Sequence, residues 1–591
     1  MTSLTQKLST LTGEAFAALG LSPDLGVVRV SDRPDLAQFQ CNGAMGAAKQ
    51  AKKNPRAVAE EIAAKLKERT EFSKIEIAGP GFINLNITDD YLSAHLAETA
   101  KDDRLGVADT GRGKTVIVDY GGPNVAKAMH VGHLRPTIIG DALKLIIRMA
   151  GYKALGDVHM GDWGLPMGQI ISEMEIRNPG WIYFSPNFSD SACAVNPPFT
   201  YADLEKMYPE ASQACRDNPE RLELARKATA ALQDGRPGYR ALWNHFMTLS
   251  KADMKKNFDS LGVTFELWKG EADVNDVIPA IAEDLKAKGL AVMDQGALIV
   301  PVAEDGDNKD MPPLMFFKSD GAVTYGTTDL ATLHERAREY GADLAKLVYV
   351  VDKRQGLHFE QVFRAAAKAD YAPGIEKKFI GFGTLNGPDG KPFKTRAGGV
   401  MKFADMIGMA TDKARARLEE AELAKDLDVA EKEDIARKVA VAAIKFADLS
   451  NQPHVDYIFD LDRMSSFEGK TGPYLLYQAV RIKSLLRKAE YDASTAFLPA
   501  LVIQGADRPL ALALTEFPDV FDTAFRHYAP HHLCDYAFRL AQQFSSFYGA
   551  CHILSEPDAA LKQSRLALCA LTVNALGKTL DLLGIAVPER M

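Results

Sequence analysis

Two histidines enclose a valine and a glycine in GGPNVAKAMHVGHLRPTIIGD, residues 121–141. His130 and His133 can each donate a hydrogen bond to a phosphoryl oxygen, and Lys127 adds a positive charge beside them. Gly132 lets a flat ring or a phosphate approach the backbone closely. These residue types predict a nucleotide-phosphate site. The alternative is a pair of structural histidines at the start of a helix.

The flanking elements favour the phosphate site. An apolar strand is predicted over 115–120, and a helix is predicted to begin near Gly132 or His133, with Pro136 in its first turn. In open α/β sheets, ligands bind at the carboxyl ends of the strands. The N-terminus of the following helix supplies free N–H groups and a partial positive charge, which suit a phosphate.

The chain as a whole divides into three predicted parts, over residues 1–110, 111–445 and 446–591. The first is an α+β module: a helix follows the cap residue Asn54, and two strands meet at the turn 79–81. The last has long 3.6-residue periodicities and no strands of note, which predicts an antiparallel helical bundle.

The middle part alternates β-rich runs with helical patterns, which predicts βαβ units and a parallel, doubly wound sheet. A mainly helical, charged insertion interrupts this rhythm over about 165–305. The predicted strands are 115–120, 154–159, 314–319, 346–352 and 378–383.

Composition excludes several classes of protein. The chain has 591 residues, 47% of them hydrophobic and 25% charged, without a signal-peptide pattern or an apolar run that would span a membrane. Its six cysteines form no Cys-x-x-Cys pair, which argues against a structural metal and predicts a reducing cytoplasm. The net charge of −8 is mild evidence against a nucleic-acid partner, unless basic residues are confined to one face.

Two other nucleotide-binding motifs are incomplete in this chain. The stretch EGKTG, residues 468–472, resembles the end of a Walker A motif, but Met464 stands where the first glycine belongs. No Gly-x-Gly-x-x-Gly follows the strand 115–120, so a dinucleotide site is not expected.

The stretch PNVAKAMHVGHLR resembles the HIGH signature of class I aminoacyl-tRNA synthetases, in the form found in arginyl-tRNA synthetases. A second stretch, GTLNGPDGKPFKTRAGGVMKF, residues 383–403, resembles their degenerate KMSKS loop. The family usually has Ser-Ser where Gly121 and Gly122 stand, and Arg-Ser where Arg135 and Pro136 stand. Alone, the second stretch is more typical of a solvated surface loop.

The resemblance implies a Rossmann-like catalytic domain that makes arginyl-adenylate from arginine and ATP, with Mg²⁺ brought by the nucleotide, and transfers arginine to the terminal adenosine of tRNA(Arg). The implied catalytic residues are Lys127, His130, His133 and Lys394. The implied ATP-binding residues are His130, Gly132, His133, Lys391, Lys394 and Arg396. The implied arginine-binding residues are Asp119, Asn124, His130, Tyr325, Asp329 and Gln355.

A carboxylate is the partner that best discriminates a planar guanidinium, which fits Asp119 and Asp329. The arginine-binding candidates have ordinary alternatives as well. Asp329 could be a charge near a helix N-terminus, and Tyr325 could be a packing residue at a strand end. Asp119 stands where the family more often has Glu, which makes it the weakest of these assignments.

The last part resembles the DALR anticodon-binding domain, through DYAFRLAQQFSSFY, residues 535–548. In GPYLLYQAVRIKSLLRK, tyrosine and basic side chains recur every three or four residues and share one face, which can stack bases. A bundle face with buried tyrosines is the alternative. The implied tRNA-binding residues are Tyr477, Arg481, Tyr548 and Met591.

The first part resembles the additional domain that contacts the tRNA elbow. The expected protein is therefore a cytoplasmic, monomeric arginine–tRNA ligase with no structural metal, DNA partner or membrane partner. Three alternatives stay open: a small-molecule nucleotidylyltransferase, a non-catalytic tRNA-binding paralogue and a synthetase for another amino acid. The helical bundle argues against the first, and the intact His130, His133, Lys127 and Lys394 argue against the second.

Overall fold

The computed structural model describes residues 2–189, 197–307, 310–387, 389–391, 393, 401–492 and 501–591. Among the helices within these ranges, none is both long enough and apolar enough to cross a bilayer.

The first 110 residues form a four-stranded antiparallel sheet, in the order β1-β2-β4-β3, with helices packed on it. Its elements are α1 Leu4–Ala17, β1 Val28–Val30, β2 Phe39–Cys41, α2 Gly43–Ala51, α3 Pro55–Leu66, β3 Phe72–Ala78, β4 Phe82–Ile87 and α4 Asp89–Thr99. The predicted hairpin is confirmed as β3 and β4, and α3 starts after Asn54, whose side chain accepts the Arg56 N–H at 2.9 Å.

The central sheet has four parallel strands in the order β11-β10-β5-β6. Register places Asp119 opposite Tyr349 on one side and Asp157 on the other, so β5 and β6 end side by side and β10 continues three residues beyond them to Asp352. Its elements are β5 Thr115–Asp119, α5 Leu134–Met149, β6 Lys153–Asp157, α6 Leu165–Arg177, α7 Tyr201–Asp217, α8 Pro219–Gln233, α9 Pro237–Ser260, α10 Ile278–Ala287, β7 Val292–Asp294, β8 Ala297–Val300, β9 Leu314–Phe317, α11 Tyr325–Tyr340, β10 Leu344–Asp352, α12 Gly356–Lys368 and β11 Glu376–Phe382.

One predicted strand lies elsewhere. The run 314–319 contains β9, which joins β7 and β8 in a separate three-stranded antiparallel sheet rather than the parallel one. Its composition matches that of a buried parallel strand, and only pairing with β8 distinguishes the two. The insertion is mainly helical, as predicted, with α6 to α10 before this small sheet.

Among the described residues after β11, most lie in helices, which confirms the predicted helical C-terminal region. A short parallel pair, β12 and β13, precedes the last helices. The elements are β12 Leu385–Asn386, α13 Phe403–Glu420, α14 Val429–Leu449, β13 Tyr457–Ile458, α15 Leu461–Met464, α16 Gly472–Lys488, α17 Asp507–Thr515, α18 Phe517–His527, α19 His531–Ala550 and α20 Ala559–Leu582. Residues such as Leu540 and Phe544 of α19 are fully buried, and each stabilises the bundle by about 1.5–3 kcal/mol.

The N-terminal module packs against the C-terminal helices. Arg508 donates to the Asp89 carboxylate and to the backbone oxygen of Ile87, the latter at 2.6 Å. The Ser93 hydroxyl accepts the Leu501 N–H, and Thr5 donates to Asp519 at 2.7 Å. These contacts join the two ends of the chain.

Candidate active site

The histidine pair lies between the end of β5 and the start of α5, as predicted. A 3₁₀ turn over Val131–His133 leads directly into α5. The ring centroids of His130 and His133 are 4.1 Å apart, with an angle of 35° between the ring planes. The His130 N–H donates to Nδ1 of His133, and the Gly132 N–H donates to Nδ1 of His130, both at 3.1 Å. The backbone thus orients both rings.

These hydrogen bonds determine which nitrogen carries the proton. Because Nδ1 of each ring accepts a backbone N–H, each neutral ring is protonated at Nε2. Burial, together with His130 and Lys127, lowers the pKa of His133 to about 3. Burial and Lys127 also lower the pKa of His130. At neutral pH both rings are therefore uncharged, each with one N–H that no described residue accepts.

Gly132 has a geometric reason to be glycine. A Cβ there would lie 2.8 Å from Cε1 and 2.9 Å from Nδ1 of the His130 ring. Any larger residue would displace the ring from its backbone donor. The glycine thus leaves room for the His130 ring as well as for an approaching ligand.

The two glycines that replace the usual serines adopt a backbone that favours glycine. Gly121 has φ of 92° and Gly122 of 47°. A Cβ on Gly122 would meet nothing within 4 Å, so conformation rather than space favours glycine there. The turn instead uses its backbone: the Gly122 N–H donates to the Val158 oxygen at 3.1 Å.

We call residues 383–403 the second signature loop and Val131–His133 the histidine turn. The C-terminal end of the loop lies next to the histidine turn. The Val131 N–H donates to the Met401 oxygen, and the Phe403 N–H donates to the Met129 oxygen, both at 3.0 Å. At its near end, the Gly387 N–H donates to the oxygen of Lys391 at 2.8 Å. Lys394 and Arg396, which the sequence assigns to ATP, lie outside the described residues.

A cavity of about 630 Å³ opens beside the histidines, between their turn and α7. Lys127, Lys206, Arg216 and Lys402 contribute four positive charges to its walls. The one carboxylate, Glu205, is paired with Lys402 at 2.8 Å. The cavity is therefore net positive and suits an anionic ligand.

Asp119 is occupied by a partner within the chain. Nη2 of Arg336, on α11, lies 2.7 Å from its Oδ2 and 2.6 Å from Oδ2 of Asp157. Burial raises the pKa of Asp119, although the Arg336 guanidinium opposes this. A contact between Asp119 and substrate arginine stays a prediction, and it competes with this buried pair.

Asn124 lies against the end of β6. It forms a parallel bridge with Gly161, whose own Cβ would fall 2.3 Å from the Asn124 side-chain oxygen. Only glycine at 161 leaves room for this amide. The exposed Asn124 side chain is thus held where β5 and β6 end, beside the other predicted arginine ligands.

The remaining arginine-site residues gather at the same sheet edge. Oδ2 of Asp329 lies 2.5 Å from Nε2 of His358, which joins α11 to α12. Tyr325, at the first position of α11, is 72% exposed and lines a second cavity, of about 590 Å³. Gln355 is exposed at the end of the 3₁₀ turn that follows β10.

The sequence analysis did not identify Glu271, one of two acidic residues that line this cavity; the other is Asp320, and Arg226 and Lys318 line it as well. Glu271 lines it together with Tyr325 and Trp163, and its carboxylate has no hydrogen bond or ion pair among the described residues. Burial, with Asp162 and Asp329, raises the pKa of Glu271 to about 7, although His159 opposes this. Glu271 is half-buried, and a carboxylate without a partner at the wall of a cavity can bind a cation.

The signal for Glu271 in the sequence is faint. The segment before it alternates in FELWKGE and bridges the end of β6 through Gly270 and Leu267. That alternation stands within the charged helical insertion, where it marks an extended segment at the sheet edge. Nothing in its spacing indicates pairing with β6, which lies more than 100 residues earlier.

Of the four predicted tRNA-binding residues, Arg481 of α16 and Tyr548 of α19 are in contact. The Arg481 guanidinium lies 4.1 Å from the ring centroid of Tyr548, and Tyr477 lies half-buried one turn before Arg481. Lys483 is paired with Glu589 at 2.7 Å, which holds the tail that ends at Met591 along α16. Asp535 and Arg539 belong to the stretch that resembles the DALR domain, and they are paired with Lys470 and Glu516, respectively.

Three family models match this chain. Residues 95–461 match the tRNA synthetases class I (R) catalytic domain, residues 475–591 the DALR anticodon binding domain, and residues 2–87 the arginyl tRNA synthetase N terminal domain. Curated arginine–tRNA ligases of Maricaulis maris and Alkaliphilus oremlandii are 49% and 46% identical to the chain, and each alignment covers 100% of both proteins.

Two solved structures of arginyl-tRNA synthetases have a fold similar to that of this chain. The arginyl-tRNA synthetase of Plasmodium falciparum is 25% identical with a TM-score of 0.80, and that of Thermus thermophilus is 23% identical with a TM-score of 0.77. Each comparison covers 100% of both chains. The predicted family and activity are confirmed: with this catalytic domain and these full-length relatives, the chain belongs to the arginyl-tRNA synthetases, class I ligases that use ATP to join arginine to tRNA(Arg).

Proposed function

We propose that His130, His133 and Lys127 bind the phosphates of ATP while arginyl-adenylate forms. The observation that carries this proposal is the pair of Nδ1 acceptors, which leaves two Nε2–H donors on rings held by the backbone. Neutral donors stabilise the charge that develops on the phosphoryl oxygens and keep their protons throughout. Lys391, Lys394 and Arg396 add charge from the second loop, and Mg²⁺ arrives with the nucleotide.

The reaction itself needs positioning and charge stabilisation. The carboxylate of arginine attacks the α-phosphorus in line, a new C–O–P linkage forms, and the bond to the β-phosphate oxygen breaks to release pyrophosphate. The 2′-hydroxyl of the terminal adenosine then attacks the carbonyl carbon, AMP leaves, and the hydroxyl proton departs with it. The positive cavity beside α7 supports this assignment, since pyrophosphate is strongly anionic.

Arginine recognition falls to the cavity beside the ends of β5 and β6. Glu271 takes the guanidinium, because it is a half-buried carboxylate that lines this cavity and has no hydrogen bond or ion pair among the described residues. Asp329, held by His358, and the exposed Tyr325 face the same region and complete the site with Asn124 and Gln355. The charge of Glu271 favours arginine over a neutral amino acid, whose side chain would leave Glu271 unpaired.

The C-terminal face receives the anticodon of tRNA(Arg). Arg481 stacked on Tyr548, with Tyr477 and Met591 nearby, provides aromatic and cationic surfaces for unpaired bases. The N-terminal module contacts the tRNA elbow. The working unit is a monomer in the cytoplasm, with neither DNA nor a membrane as partner.

Arginine-dependent exchange of pyrophosphate into ATP tests the assignment. The assay is run with each of the twenty amino acids, with and without tRNA(Arg), on the parent chain and on His133→Ala. We expect that arginine is the one amino acid of the twenty that supports exchange. In His133→Ala we expect a large loss of exchange, while the variant still binds tRNA(Arg). Unchanged turnover in His133→Ala contradicts the phosphate role, and exchange with a second amino acid contradicts the pocket assignment.

A further inference from the structure

A buried cluster joins the histidine helix to α14. Arg135, two residues after His133, donates from Nε to Oδ2 of Asp448 at 3.1 Å and from Nη1 to the Val455 oxygen at 2.7 Å. The Tyr457 hydroxyl donates to the same Asp448 oxygen at 3.0 Å, and its ring lies 5.0 Å from the guanidinium carbon. Arg135 and Asp448 are both essentially inaccessible to solvent.

The same cluster touches the second signature loop. Tyr457 belongs to β13, which pairs in parallel with β12, and β12 leads directly into the loop that carries Lys391. The Tyr457 N–H donates to the Thr384 oxygen at 3.2 Å, and the Phe459 N–H donates to the Asn386 oxygen at 2.9 Å. One side of the cluster therefore holds the start of α5, and the other holds the base of the loop.

The contribution of this cluster to the free energy of folding does not explain why it is buried. Burying an ion pair is often no better than burying apolar residues of similar volume. Here Nη2 of Arg135 and Oδ1 of Asp448 are also buried without hydrogen-bond partners in the described chain, which adds to the desolvation cost. What the cluster does provide is a fixed geometry between two segments that are more than 240 residues apart in the chain.

We propose that Asp448, acting through Arg135 and Tyr457, is a positioning residue that sets the distance between the histidine turn, Val131–His133, and β12, the strand that leads into the second signature loop. In the proposed reaction the histidine turn and the loop that follows β12 both contact the triphosphate, so this distance affects the chemical step. This proposal rests on the phosphate role given above to His130, His133 and the loop. A shift of about 1 Å between such elements can cost about 100-fold in rate.

The test uses the full-length chain in pyrophosphate exchange with tRNA(Arg) present throughout. Asp448→Asn preserves the shape of the side chain but leaves the Arg135 charge buried without its counter-ion. We expect kcat/KM for ATP to fall by about 30-fold or more, with the arginine KM changed by less than about twofold, because Arg135, Asp448 and Tyr457 do not line the arginine cavity. A loss confined to the arginine KM, or no loss, overturns the proposal.

The chain offers a matched control in the same pair of helices. Lys445 of α14 reaches Oδ2 of Asp141 in α5 at 3.4 Å and the Gly584 oxygen at 2.8 Å, and it is equally buried. This second tie lies two turns farther along α5 from the histidines. Lys445→Met should lower the melting temperature as Asp448→Asn does, yet retain exchange within about threefold. Equal losses of exchange in both variants mean that the cluster is merely structural.

A milder variant covers the case in which Asp448→Asn does not fold. Tyr457→Phe removes one hydrogen bond to Asp448 and keeps the ring beneath Arg135, so exchange should fall about threefold to tenfold, again in kcat/KM for ATP. Unaltered exchange in Tyr457→Phe then overturns the proposal. His133→Ala, assayed alongside, separates the two ideas: if it is active, the phosphate role fails, and if it is inactive while Asp448→Asn is active, only the positioning role fails.

Discussion

Replacing Glu271 should weaken arginine binding and stabilise the fold at the same time. The pKa of this carboxyl is raised to about 7 from its usual 4.5, so at pH 6 only about one molecule in ten carries the charge that a guanidinium needs, against about nine in ten at pH 8. The KM for arginine should therefore be about tenfold higher at pH 6 than at pH 8. His133, whose pKa is lowered to about 3, stays neutral across this window, and burial also lowers the pKa of His130, so the KM for ATP should change with pH much less than the KM for arginine.

Glu271→Gln should raise the free energy of unfolding at pH 8, although it removes an active-site residue. Because the pKa of Glu271 is raised in the folded state, its contribution to stability is present below pH 4.5 and is lost as the pH rises through 7. The shift corresponds to about 3 kcal/mol at pH 8, which Glu271→Gln recovers. The same substitution should raise the arginine KM by about 100-fold and abolish its pH dependence.

The assay measures the arginine KM by exchange at five pH values and thermal unfolding at pH 6 and pH 8. Asp273→Asn is the matched control: it removes a charge from the same 3₁₀ turn, where Asp273 accepts the Gly270 N–H at 2.7 Å, but does not line the cavity. It should keep the tenfold dependence of KM on pH. A Glu271→Gln variant that binds arginine normally, keeps the pH dependence or is less stable at pH 8 would refute the reasoning.

Three further substitutions test the other parts of the site. Gly132→Ala should lower exchange by about tenfold or more with little change in unfolding temperature, because its Cβ would displace the His130 ring; wild-type exchange would show that the ring orientation is dispensable. Arg481→Ala should raise the tRNA KM in aminoacylation by about tenfold while single-turnover transfer at saturating tRNA is unchanged, and a slower transfer step would argue against a binding role. Lys394→Ala should lower kcat for adenylate formation more than it raises the KM for ATP; a pure KM effect would exclude a role in the chemical step.

Turns, helix caps and helix starts depend on a few neighbouring residues, and the sequence was sufficient to predict those named here. The turn at 79–81, the Asn54 cap and the strand-to-helix passage at 130–133 each depend on a few neighbouring residues, and each is found where the pattern indicates. The resemblance of the two signature stretches and of the terminal regions supplied the family. The strand 314–319 was assigned to the wrong sheet, because hydrophobicity reports burial rather than the identity of the neighbouring strand.

Partners that are distant in the chain explain what the sequence could not supply. Asp119 is predicted to contact the substrate guanidinium, and nothing in its local sequence indicates that Arg336, 217 residues later, pairs with it. Glu271 went unnoticed because it reaches the site only through the bridge between Gly270 and Met160. In both cases the chemistry depends on a pairing that no local periodicity encodes.

The contacts between the N-terminal module and the C-terminal helices have a consequence for synthesis of the chain. Arg508 reaches back 419 residues to Asp89, and Leu501 reaches back 408 residues to Ser93. At about 5–20 residues per second, a ribosome needs about 20–80 s to produce the partner segment after the module has emerged. Through that interval the module is without these contacts, so its docking can begin only once the C-terminal helices have been synthesised.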